Sequence, residues 1–235
     1  MKKVHHKHYS AEAVEMYYNR YLKAVKRKDA PGFLLRMADE IDLSPALLAR
    51  LILEQHSTQK PDGGEAPVKH VITQMMRDTS LIEDGDLAVE VFQCIINDDN
   101  YGPVADAVKH AVGLEFEQKL KEELQRLGIA FVDESILREK GYDKTPDTKL
   151  EVPVAIDGHV VNWIESKASF GDEESHRNYL KDQYWSYWNR FGPGMVIYWF
   201  GFIEELDTHR NTGILLCDCM PKIITYMNAQ ALRQC

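Results

Sequence analysis

The chain has 235 residues, 44% of them apolar and 28% charged, the profile of an ordinary globular protein with one large or two small domains. A net charge of −9 argues against a protein that coats nucleic acid non-specifically, yet it is compatible with acidic residues that hold a metal beside local basic groups that hold a phosphate. No apolar stretch reaches the roughly 18 to 20 residues needed to cross a bilayer, so no membrane role is expected. The opening MKKVHHKHYS lacks the apolar segment of a secretory signal. Cys94, Cys217, Cys219 and Cys235 lack the paired spacing of secreted domains or zinc knuckles, which points to reduced thiols in cytosol or nucleus.

From Ser10, the expected N-cap, Val14, Tyr17, Tyr18, Tyr21, Leu22 and Val25 recur with helical spacing. A second helix is expected over Gly32–Glu40 and a third opening at Ser44-Pro45, serine as N-cap and proline in the first turn. This pair resembles a helix-turn-helix module. A groove-reading second helix needs exposed polar side chains. Here it reads Ala46 to Leu53 with Arg50 as its one basic residue, which favours packing. Residues Ser57 to Pro67 predict a mobile loop, and His5, His6 and His8 a disordered polar end. Further helices are expected over about Val68–Met76, Asp86–Asn97 and Pro103–Leu127, the last with a boundary or kink at Gly113.

After Gly128 the pattern changes to short strands. A strand at Ile129–Val132 and a helical turn at Ser135–Lys140 precede a hairpin, Leu150–Ile156 and Val160–Ala168, around the turn dipeptide Asp157-Gly158. A helix over Glu174–Phe191 ends at Gly192-Pro193-Gly194, and strands Met195–Phe202 and Ile214–Cys217 follow. The expectation is an all-α N-terminal region over residues 1–100 and an α/β domain over 101–235 with a central mixed sheet flanked by helices.

Three polar residues on this hairpin carry chemistry. Glu165 and Lys167 stand at i and i+2, so a strand aims both at one face, and Asp147 precedes the partner strand. Two carboxylates suit Mg²⁺ or Mn²⁺, and an ammonium beside them suits an anionic phosphate or a bound water. A structural salt bridge is the competing reading. Register decides whether Asp147 joins them. A strict two-residue turn sets Asp147 opposite Ala168, on the wrong face, whereas a three-residue loop sets it opposite Lys167. A site therefore requires an odd-length loop or a bulge, and Pro153 marks a place for one. Of the aromatic residues crowding Tyr184–Phe202, helix-on-sheet packing is the favoured reading over stacking on unpaired bases. His176, Arg177, Lys181 and Arg190 either touch phosphates or form a solvated face.

Pro146-Asp147 followed by Glu165-Ser166-Lys167 resembles the two-part signature of the PD-(D/E)XK nuclease superfamily, whose fold is restriction-endonuclease-like. Gly113-Leu-Glu-Phe-Glu117 looks like the upstream acidic helix of resolvase-like members, and Gln183 with Tyr187 resembles the Q-x-x-x-Y element of RecB-like members. The resemblance implies that Asp147 and Glu165 ligate the metal with the Ser166 carbonyl, and that Lys167 orients or helps deprotonate the attacking water. It adds Glu117 as a further ligand or water holder, with Glu115 as a competitor, and Gln183 as a site residue.

Longer strings are similar to the codanin-interacting nuclease family: Leu48-Ala-Arg-Leu-Ile-Leu-Glu54, Gly141-Tyr-Asp-Lys-Thr-Pro-Asp147, Trp163 to Asp172 and Tyr187 to Gly194. That resemblance implies a codanin-type protein partner, a DNA or RNA substrate, a place in nucleus and cytoplasm, a link to chromatin and red-cell development, and a further segment ahead of Met1. A nuclease-fold adaptor that mainly binds a protein partner is the alternative.

Overall fold

The computed structural model describes residues 8–59 and 69–228 and divides the chain into two compact units, 1–110 and 111–235. The loop expected over Ser57 to Pro67 lies mostly outside the described residues, as do His5, His6 and Cys235. Among the described residues no helix is long and apolar enough to cross a membrane.

The first unit is all helical: α1 (Ala11–Arg27), α2 (Phe33–Ile41), α3 (Pro45–Thr58), α4 (Lys69–Arg77), α5 (Gly85–Ile96) and the start of α6 (Pro103–Arg126). The start signals read from the sequence are used as such. Ser10 Oγ accepts from the Ala13 amide at 3.2 Å, and Ser44 Oγ from the Leu47 amide at 3.3 Å, with Pro45 in the first turn. Helix α2 has no side-chain cap of its own. The buried Glu90 on α5 supplies one, its two carboxylate oxygens accepting from the Gly32 and Leu34 amides at 2.8 Å each. Asp98 ties the next turn together, accepting from Ala46, Asn100 and Tyr101 amides and from Ser44 Oγ. Helix α3 buries Ala46, Leu48, Ala49, Leu51, Ile52 and Leu53, and Arg50 donates to Thr73 Oγ1 at 2.8 Å. It is a core helix, in keeping with its apolar face. His8, expected in a disordered end, is instead buried, its Nδ1 2.8 Å from the Tyr17 hydroxyl.

The second unit carries a mixed sheet. Strands β1 (Phe131–Asp133), β2 (Thr148–Ile156), β3 (His159–Lys167), β4 (Gly194–Tyr198) and β5 (Ile214–Cys217) lie side by side in that order. The first three are antiparallel, while β4 and β5 run parallel to β3. A short β6 (Thr225–Tyr226) pairs with the end of β2. The short helix α7 (Glu134–Glu139) follows β1. On one face, Leu120 and Leu124 of α6 pack against Leu150, Ile164, Met195 and Ile197. On the other, Trp163, Val196, Tyr198, Ile214 and Leu216 pack against Tyr184 and Tyr187. Helix α6 runs unbroken through Gly113.

The connection from β3 to β4 departs from the expected single helix. It is α8 (Glu173–Tyr179), a π-helical turn over Leu180–Tyr184, and α9 (Trp185–Phe191). A π turn rotates the residues after it relative to a plain α-helix, a device frequent at functional sites. Likewise, β4 ends at Tyr198 rather than Phe202, because Gly201 adopts φ +85° and turns the chain.

Gly194 opens β4 against the fully buried ring of Trp163, where an added Cβ would lie 2.1 Å from the ring's Cε2. Gly194→Ala is therefore expected to destabilise the second unit by about 3 kcal/mol or more, as overpacking of a closed core does. Denaturant unfolding measures this, and a loss under about 1 kcal/mol would show that the ring has room to move.

Candidate active site

The hairpin places the site. Asp157 and Gly158 have φ +48° and +80°, the left-handed pair of a tight two-residue turn, and Ile156↔His159, Ala155↔Val160 and Val154↔Val161 pair regularly beyond it. The ladder then slips. Pairing resumes at Lys149↔Trp163 and Thr148↔Ile164, so the four residues Leu150–Pro153 of β2 stand against Asn162 alone. Pro153 has no N–H to give a ladder, and the Asn162 amide turns to the Pro193 carbonyl at 2.8 Å. The extra three residues are an odd number, so they reverse the facing of everything before them. The expected bulge is present, but it sets Asp147 opposite Glu165 rather than Lys167.

Two hydrogen bonds lock this register. The Asp147 amide donates to Glu165 Oε2 at 3.2 Å, and the Ser166 amide donates to Asp147 Oδ2 at 2.7 Å. Lys167 Nζ stands 2.7 Å from Glu165 Oε1 and 3.0 Å from Gln183 Oε1, and 4.6 Å above the Tyr179 ring. Thus Asp147, Glu165, Lys167 and Gln183 come together, with Ser166 between the two principal residues. Ser166 faces the other way, its Oγ accepting from Trp199 Nε1 at 2.8 Å. Glu117 is half-buried on α6 and its charge bears on Asp147, whereas Glu115 is exposed. Tyr187 is core, its ring 5.3 Å from that of Trp163.

Other expectations are corrected. His176 is not a phosphate contact: it is buried, with Nδ1 3.0 Å from the Tyr198 hydroxyl, which in turn lies 3.1 Å from that of Tyr184. Arg190 keeps to the solvated-face reading: it is exposed and donates to the Lys144 carbonyl at 2.9 Å. Sequence reasoning missed Tyr179, although it precedes Gln183 by the same four residues that separate Gln183 from Tyr187. It also missed Glu134, whose Oε1 accepts from Thr145 Oγ1 at 3.1 Å and whose charge acts on Glu165.

Burial dominates the electrostatics. Desolvation pushes the Asp147 carboxyl well above its ordinary range, and the neighbouring Glu165 charge pushes it further, against the Ser166 amide. Desolvation also raises Glu165, opposed by Lys167 and the Asp147 amide. Burial alone would depress Lys167, but the charge and hydrogen bond of Glu165, then Asp147, outweigh it and hold the ammonium above its usual value. Glu165 and Lys167 form the ion pair, and the second negative charge, on Asp147, is the one the site resists. Among the described residues no three His, Cys, Asp or Glu side chains stand close enough to enclose an ion. Two carboxylates and a main-chain carbonyl still fit Mg²⁺, which keeps several waters and takes phosphate oxygens for the rest.

A mixed sheet clad in helices, with an acid–acid–lysine group on its central hairpin, defines a nuclease-like α/β domain. The chain belongs to the CDAN1-interacting nuclease 1 family. The protein of that name from Xenopus laevis is 56% identical over 229 residues, covering 97% of this chain and 75% of its own length. The human one is 53% identical over 232 residues, covering 98% and 82%, and that of Danio rerio 51% over 229 residues, covering 97% and 76%. A family described as "Protein of unknown function TPD sequence-motif" matches residues 83–220, a span that includes Thr145-Pro146-Asp147. No solved structure matches.

The raised Asp147 has a direct consequence for stability. An unfolded Asp ionises near 3.9, whereas folded Asp147 holds its proton to higher pH. Stability is then intact below the unfolded value and is lost as pH rises towards the folded one. Asp147→Asn keeps an oxygen for the Ser166 amide and removes the charge. In metal-free buffer it is expected to raise the melting temperature at pH 7 by roughly 2–4 °C per kcal/mol gained, with the gain vanishing near pH 3. Calorimetry across pH checks this, and a pH-independent difference would contradict it.

Proposed function

We propose that this chain is a divalent-metal-dependent nuclease that hydrolyses phosphodiester bonds in nucleic acid and acts with a codanin-type partner. The observation that carries the reading is the lock of Asp147 against Glu165 and Ser166 beside the Lys167 ammonium. The names of the relatives, nucleases that interact with CDAN1, support the same class and partner.

Asp147, Glu165 and the Ser166 carbonyl are the groups that would hold Mg²⁺ or Mn²⁺. A bound ion of this kind supplies a Lewis acid for the phosphoryl oxygen and lowers the pKa of its water. The protein does the rest. Lys167, paired with Glu165, orients or helps deprotonate the attacking water and donates to the developing negative charge. Gln183 and Tyr179 fix the ammonium, one as acceptor and the other through its ring face. Glu117, whose charge bears on Asp147, would hold a further water there.

Asp147→Asn, Glu165→Ala and Lys167→Ala are each expected to cut cleavage of a labelled DNA and RNA panel by at least about 100-fold without unfolding the protein. Excess Mg²⁺ or Mn²⁺ is expected to raise the melting temperature of the parent protein, by about 2.7 kcal/mol of stability at 100 times the dissociation constant. Asp147→Asn should respond far less. Full cleavage by both Asp147→Asn and Lys167→Ala would refute the assignment. An inert parent protein that still captured the codanin-type partner would favour the adaptor reading.

A further inference from the structure

The end of the sheet that bears the hydrolytic residues also carries aromatic rings that this chemistry does not use. Trp199 and Phe200 form the turn after β4, and Phe116 approaches from α6. The Phe116 ring centre lies 5.3 Å from that of Trp199 and 5.3 Å, edge to face at 89°, from that of Phe200. Lys119 Nζ stands 4.6 Å over the Trp199 ring and 5.1 Å over that of Phe116. Trp163, Tyr184 and Tyr198 are core at 0% exposure, whereas Phe200 is 53% exposed and Phe170 49%. Phenylalanine has no polar tip to recommend that position, and leaving so much of the ring in water forgoes part of the roughly 1.5–3 kcal/mol its burial would bring.

The cluster is joined to the site by main chain and side chain. Trp199 Nε1 donates to Ser166 Oγ at 2.8 Å, and the Trp199 amide donates to the Lys167 carbonyl at 3.0 Å. Phe116 directly precedes Glu117, whose charge bears on Asp147. A ring with an open face, a lysine ammonium over its neighbours and a main-chain bond to Lys167, on the face of β3 opposite the Glu165 and Lys167 side chains, make up the parts of a base-stacking subsite. In a chain of net charge −9, such a local cation with an apolar ring is what allows a polyanion to be held here.

We infer that Phe200, backed by Phe116 and Trp199 and with Lys119 for the adjoining phosphate, stacks on an unpaired base flanking the scissile bond. The inference rests on the nuclease reading and specifies its substrate class: nucleic acid, DNA or RNA, with unpaired nucleotides beside the cut. In a duplex the faces of internal bases are already covered, and exposing one costs a few kcal/mol.

Phe200→Ala and Lys119→Ala are compared with the parent protein on a single-stranded DNA, the same sequence as RNA, and the fully paired duplex. A parallel series carries one abasic nucleotide at successive positions around the cut. Phe200→Ala is expected to lower kcat/KM on the single strands by roughly 5- to 150-fold, the equivalent of about 1–3 kcal/mol per stacked base, and to leave the duplex rate unchanged. One abasic position should cost the parent protein a similar factor and cost Phe200→Ala nothing, which a merely structural ring would not produce. Lys119→Ala should weaken binding of all strands and flatten its salt dependence. Equal rates for Phe200→Ala and parent, a flat abasic series or a preference for fully paired duplex would overturn the subsite. Anisotropy with a fluorescent single strand on Asp147→Asn, alone and combined with Phe200→Ala, separates the two claims. If binding depends on Phe200 while the parent protein itself cleaves no substrate, the subsite is sustained and the nuclease reading sinks. Cleavage abolished by Asp147→Asn but indifferent to Phe200 does the reverse, and absence of both binding and cleavage removes both.

Discussion

The site depends on a slip of three residues in one hairpin. A tight turn at Asp157-Gly158 alone would carry Asp147 past the hydrolytic group and onto the opposite face. The stretch Leu150–Pro153 absorbs the excess, and Asp147 arrives opposite Glu165. The slip is held from both sides. Leu150 pairs with Phe131 on β1, the Glu151 amide reaches the Ala130 carbonyl at 2.9 Å, and Val154 and Ala155 pair with β6. The free edge of β2 is thereby shared between two strands, one on each side of the bulge, and neither can follow a shift of the other.

That register forces charge into a place that disfavours it. A buried carboxylate, Glu165, and a half-buried one, Asp147, meet across one strand pair, and Lys167 is the ammonium whose charge bears on both. The protein satisfies Glu165 with Lys167 and the Asp147 carboxylate with a main-chain amide, which leaves one negative charge too many for a dry site. A structural salt bridge would need one carboxylate, not two. The surplus is the physical argument for a cation, and Lys167, 2.7 Å from Glu165 Oε1, is the hydrogen-bond donor beside it.

Much of this was legible in the chain. Periodicity located the helices, Ser44-Pro45 and Asp157-Gly158 marked a helix start and a turn, and the strand spacing put Glu165 and Lys167 on one face. Parity showed that an odd-length loop or a bulge was required. Its size was not legible, since it follows from the pairing of β1 and β6 with the far edge of β2, contacts distant in sequence. The same holds for Glu90, which caps α2 from 58 residues away, and for the π turn that brings Gln183 and Tyr179 to Lys167. Composition alone also treated the aromatic residues of Tyr184–Phe202 as one group. Burial separates them: Tyr184, Tyr187 and Tyr198 are core, whereas Phe200 stands open at the turn that Gly201 permits.

The claim that Asp147 and Glu165 form a divalent-cation centre is tested most directly by anomalous diffraction from a crystal soaked with Mn²⁺. The account predicts a single strong peak within about 2–2.5 Å of oxygens from both carboxylates. A map with no peak there, from protein that cleaves nucleic acid in the same Mn²⁺ buffer, would contradict it.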